Sequence, residues 1–159
     1  MARAPNINRS RVHEPLVQRL AVDKLPELGK SLFPTIREFL SFAALLGYSE
    51  GRKIPLDGAA GTEDIGGGVY EHHEAMEIIF ALAIAETESS DILKEGNEAK
   101  CAKIYEEYAN GGLELVSDWL TASADQSPDK AIFAGLLQAG YLSDNGNGLL
   151  EDDIAKIEF

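Results

Sequence analysis

Residues 71–87 read EHHEAMEIIFALAIAET, and the fold class turns on the apolar run inside them, residues 78–85. A buried strand is the competing reading of that run. Ala81, Ala83 and Ala85 argue against it, because alanine favours helix and is poor in strands. The stretch is therefore expected to form a central helix. Glu71 and Glu74 in its first turn suit the positive end of the helix dipole. Its second half is apolar almost all round, so burial on most sides is expected. Phe80 and Ile84 are then core residues.

Helical periodicity extends in both directions. Leu16, Val17 and Leu20 mark a helix over residues 13–23, with Pro15 in its first turn and Pro26 and Gly29 beyond it. Ile36, Phe39, Leu40, Ala43 and Leu46 form one stripe of a second helix, with Arg37, Glu38 and Ser41 opposite. Pro34 fits its first turn and Gly47 its stop. Residues 48–68 hold Gly51, Pro55, Gly58, Gly61 and Gly66-Gly67-Gly68, and read as one long glycine-rich loop with a short extended piece near residues 53–56. After the central helix come helices at 97–110, ended by Gly111-Gly112, and at 113–122, with Val116, Trp119 and Leu120 inward. A last helix carries Ile132, Phe133, Leu136 and Leu137 behind the cap Ser127-Pro128. The tail, residues 149–159, reads equally as a short helix or an added strand. The expected fold is all-α, one compact domain of about six helices over residues 13–159, with residues 1–12 as a flexible basic arm.

The chain of 159 residues is 45% apolar and 26% charged, ordinary proportions for a globular domain. No apolar run approaches the roughly 20 residues needed to cross a bilayer, and no secretory signal opens the chain. A cytoplasmic protein with no membrane contact is expected. Charge is unevenly placed. Residues 1–53 hold nine Lys/Arg and five Asp/Glu, a net of +4, whereas residues 54–159 hold five and 22, a net of −17. Such a field opposes general nucleic-acid binding over most of the chain but leaves room for a local basic contact. Arg9, Arg11, Arg37, Arg52 and Lys53, with Arg19, are the candidates for touching phosphate or an acidic partner. As scattered surface charges, they would simply pair with the acidic part. Tyr105, Tyr108 and Trp119 read as core rather than as a base-stacking platform.

Catalytic signatures are sparse. His72, His73, Glu74 and Glu77 are the only clustered metal-type ligands, and His73 and Glu77 share a helix face. HHEAME lacks the second histidine of H-E-x-x-H, so a solvated helical turn is the expectation and a metal-dependent hydrolase the alternative. Residues 143–154 resemble a calcium loop but put Ser143 and Ile154 where charged ligands are required. GAAGTEDIGGG is followed by no Gly-Lys-Ser/Thr and carries Glu63 and Asp64, which exclude a phosphate loop. Cys101, the only cysteine, reads as a half-buried small residue.

Two stretches carry a resemblance: FPTIREFLSFAALLGYSEGRKIPL at 33–56 and YANGGLELVSDWL at 108–120. With Arg9-Ser10-Arg11 and the short tail, they resemble the DNA phosphorothioation-associated protein 4 (dnd system-associated protein 4) family over most of the chain. These motifs are structural rather than catalytic. The resemblance implies a setting among operons that place sulfur in the DNA backbone and restrict unmodified DNA, as in phage defence. It carries no catalytic residue onto this chain. The modification enzymes of such systems use cysteine desulfurase and iron–sulfur chemistry, and one cysteine cannot hold a cluster that needs four protein ligands. The leading expectation is a non-enzymatic accessory protein without cofactor, working through contacts with other proteins of the operon. A DNA-contacting regulator with a basic N-terminal surface is the alternative.

Overall fold

The computed structural model describes residues 4–72 and 75–143. The chain forms two compact units, Met1–Asp118 and Trp119–Phe159, where one domain is expected from the sequence. Six helices account for most of the described residues: α1 (Glu14–Ala21), α2 (Ile36–Ser49), α3 (Gly67–His72), α4 (Met76–Thr87), α5 (Glu98–Ala122) and α6 (Pro128–Gln138). Two strands, β1 (Ile7–Ser10) and β2 (Thr62–Ile65), pair antiparallel with Ile7 opposite Ile65 and Ser10 opposite Thr62. The fold is thus mostly helical rather than all-α.

In the first unit β1 belongs to the body of the protein rather than standing apart as an arm. Ile7 is 1% exposed, and the Asn8 backbone and side-chain amides both donate to Glu106 of α5, at 2.5 and 3.0 Å. One apolar residue among polar ones gives no periodic signal; the pairing comes from a partner strand 52–58 residues away. That partner lies in the stretch read as a loop. The piece expected to be extended, residues 53–56, has no strand partner, and α5 holds it instead. Ile54 N–H donates to Glu107 O at 3.0 Å, and Asn110 Nδ2 donates to the carbonyls of Ile54 and Pro55.

Helix α2 starts after the cap Thr35, whose hydroxyl accepts from Glu38 N–H at 3.1 Å, so Pro34 stands outside the helix. It runs past Gly47, and Gly51 at φ +67° makes the turn that follows it. Phe39 and Leu40 are fully buried, as expected, and Ser41 is buried as well.

Gly111 and Gly112 do not end a helix either; α5 runs unbroken for 25 residues. A β-carbon on Gly112 would fall 1.7 Å from Ala43 O of α2, and one on Gly47 would fall 2.1 Å from Tyr108 O of α5. The two helix backbones touch through these glycines. The contact outweighs a helix-propensity penalty of about 1 kcal/mol per glycine.

The expected helix 71–87 is two. Ala75 lies outside both helices, and its amide donates to Tyr70 O at 2.8 Å. Burial on most sides of α4 is also not found. Ile79, Leu82 and Ala83 face inward, Phe80 is half-buried, and Ile84 is 38% exposed. In the second unit Leu120, Ala131 and Ile132 are buried, while Trp119 and Phe133, expected in the core, are half-buried. Expectations for the tail, residues 149–159, and for all but Ser143 of the calcium-like loop lie outside the described residues. Among the described residues no helix is long and apolar enough to cross a membrane.

Candidate interaction surface

The five basic candidates each have a carboxylate close by. Arg9 is buried: it grips Glu14 through Nε and Nη2 at 2.9 and 3.1 Å. That guanidinium is the main reason the Glu14 carboxyl is held below its usual range. Arg11 is exposed and donates to Glu63 at 3.0 Å. Arg37 is half-buried, 3.8 Å from Glu38. Arg52 reaches Asp118 at 3.3 Å and Glu114 at 3.7 Å. Lys53 reaches Glu86 at 2.7 Å and Glu107 at 3.8 Å. By contrast, Arg19, Lys24 and Lys30 are exposed and form no ion pair among the described residues.

Lys53 also lies over the Tyr108 ring, 5.7 Å from its centre, and Tyr48 meets that ring edge-on. The Tyr108 hydroxyl donates to Glu86. Glu86 is held below its usual range by Lys53 first and Tyr108 second. Tyr108 is pushed up to about 12, first by burial and then by the Glu86 carboxylate. The cluster clamps the 53–56 segment between α4 and α5 and leaves the phenol a hydrogen-bond donor.

A second hydroxyl chain lies deeper. Tyr105 Oη sits 3.1 Å from Ser41 Oγ and 2.9 Å from Tyr70 Oη, with both rings fully buried and edge-to-face. Burial pushes Tyr105 up to about 12 and raises Tyr70 as well. Tyr105 and Tyr108 are core residues, as expected, whereas the role of Ser41 was hidden by its place on the polar side of the α2 wheel.

One feature was missed from the sequence. Between α3, α4, the turn at residues 90–95 and the start of α5 lies an open cleft of about 570 Å³. Its apolar lining includes Met76, Phe80, Ile92, Leu93 and Cys101. Glu71, Glu77, Glu95 and Glu98 line it too, with Lys94 as the one cation among the described residues. Lys94 stands 3.2 Å from Asp91. Cys101 is 2% exposed and its thiol donates to Ile92 O at 3.4 Å. Burial first, and Glu98 second, raise its pKa, so the thiol stays protonated. The available signal was an apolar helix too short of partners to bury all its faces.

Of the histidine–carboxylate set, His73 and Glu74 lie outside the described residues. Among the described residues no group of three or more His, Cys, Asp or Glu side chains is placed to hold a metal ion.

Compared with known proteins, residues 6–141 match the family described as DNA sulphur modification system-associated protein 4. No curated protein and no solved structure matches the chain.

Proposed function

The chain belongs to the DNA sulphur modification system-associated protein 4 family, and on that premise we propose that it is a non-enzymatic accessory of a DNA phosphorothioation-linked restriction and phage-defence system, acting through contacts with other proteins of the operon. The observation that carries the reading is the pairing of Arg9, Arg11, Arg37, Arg52 and Lys53 with the protein's own carboxylates. A phosphate backbone would have to displace those carboxylates against a net charge of −13. The one cysteine, Cys101, is shifted towards its protonated form, opposite to what activation of a thiol requires.

Co-expression with the operon's other proteins, followed by size-exclusion chromatography, tests this reading. A stable complex is expected, and no retention of duplex DNA, with or without phosphorothioate, at about 150 mM salt. Sub-micromolar DNA binding abolished by changing Arg19, Lys24 and Lys30 to Ala would instead establish a DNA-contacting regulator.

A further inference from the structure

The cleft combines two properties that rarely coincide on a surface with nothing to bind. Its floor is apolar and adaptable, since Met76 brings an unbranched, polarizable side chain beside Phe80. Its volume of about 570 Å³ lies within the roughly 300–1,000 Å³ typical of ligand clefts. Ile84, one helical turn on from Phe80, continues the apolar strip into solvent at 38% exposure, and Leu93 at the edge is 43% exposed. Among the described residues four carboxylates surround this surface, and the one lysine there has Asp91 beside it.

That pattern selects the occupant by charge. The chain's own tail carries Asp144, Glu151, Asp152, Asp153 and Glu158 against Lys156, a charge of the same sign as the cleft. A second copy brings a net −13, which opposes its approach at long range. Nucleic acid and phosphate ligands are excluded for the same reason. A segment with apolar anchors at helical spacing, flanked by Lys or Arg, meets both properties at once.

We propose that the cleft docks a basic amphipathic segment of a partner protein, with apolar side chains seated over Met76, Phe80 and Leu93 and Lys or Arg meeting Glu77, Glu95 and Glu98. This rests on the reading that the protein works through protein contacts, and it names the chemistry of the partner.

The test uses the full chain and a labelled 18-residue helical peptide with Leu at positions 1, 4, 8 and 11 and Lys flanking them. A twin peptide carries Glu in place of every Lys. Fluorescence anisotropy at about 150 mM salt is expected to show the Lys peptide binding at least about tenfold tighter than its twin. The decisive variant is Leu93→Asp. It adds negative charge, so diffuse attraction to an acidic surface would hold or strengthen, whereas seating on the apolar floor would weaken about tenfold or more. Glu77→Lys with Glu95→Lys is expected to weaken binding by a similar factor, and Glu27→Lys with Glu50→Lys, the same charge change at exposed sites elsewhere, by much less. Absence of binding, equal binding of the twins, or binding undiminished in Leu93→Asp would overturn the inference. Co-purification separates it from the reading beneath it. If the operon proteins bind wild type and both cleft variants alike, the cleft assignment falls and the protein-contact role stands. If the peptide results hold but no operon protein binds, the cleft assignment stands and that role falls.

Discussion

Gly112→Ala inverts the usual sign of a helix substitution. In the interior of an exposed helix, replacing Gly by Ala stabilises by about 1 kcal/mol. At Gly112 the new β-carbon would sit 1.7 Å from Ala43 O, 2.5 Å from Ala43 C and 2.8 Å from Ala43 Cα, where ordinary contact begins at 3.4 Å. The obstacle is the backbone of α2, which has no rotamer to escape into. Helices α2 and α5 must part by roughly 1.5 Å, and the buried contacts of Phe39, Leu40, Leu113 and Val116 loosen with them. Overpacking of this kind costs about 1–3 kcal/mol and occasionally more. Because the obstacle is backbone, the upper end of that range, about 3 kcal/mol, applies, and subtracting the propensity gain of about 1 kcal/mol leaves a net loss of about 2 kcal/mol. For a chain of this length that lowers Tm by about 4–8 °C. Gly68→Ala in α3 is the control, because a β-carbon there meets nothing within 4 Å. It is expected to be neutral or up to about 1 kcal/mol stabilising. Thermal and urea unfolding followed by circular dichroism measure both. A Tm for Gly112→Ala equal to or above wild type would refute the close α2–α5 crossing.

Two other outcomes are expected. Glu88 ends α4 in the left-handed region at φ 54°, so Glu88→Gly should raise stability by about 1 kcal/mol, read from the urea midpoint; a loss would contradict that backbone conformation. His13 is held below its usual pKa, first by burial, against the opposing effects of Asn110 and Glu114. The unfolded chain therefore binds more protons there than the folded one, and stability falls as pH drops below about 6.5. His13→Gln should flatten the slope of urea midpoints between pH 7 and 5, and an unchanged slope would assign the pH dependence elsewhere.

Local chemistry was legible where a residue acts within its own turn. Helix α6 begins at Pro128 behind Ser127 as expected, although the Ser127 side chain makes no cap hydrogen bond, and the stripe of α2 places Phe39 and Leu40 in the core. Glycine was misread twice for one reason. Gly47 and Gly111-Gly112 have the composition of helix stops, yet each is placed by a neighbouring backbone that no local window contains. Ser41 shows the same effect in a polar residue: its side of the wheel is polar, but Tyr105 covers it.

What the sequence by itself determined was the helical character, the acidic balance and the family. These rest on alanine-rich apolar periodicity, counted charges and two local motifs, all properties of short segments. Only the tertiary structure decided that Arg9 is buried on Glu14, that Arg52 and Lys53 face α4 and α5 carboxylates, and that an acid-lined apolar cleft opens beside α4. Charge pairing falls off within a few ångströms, and a cleft is the space that packing leaves unfilled. Both depend on which distant segments meet, and that is settled only when the whole chain has packed.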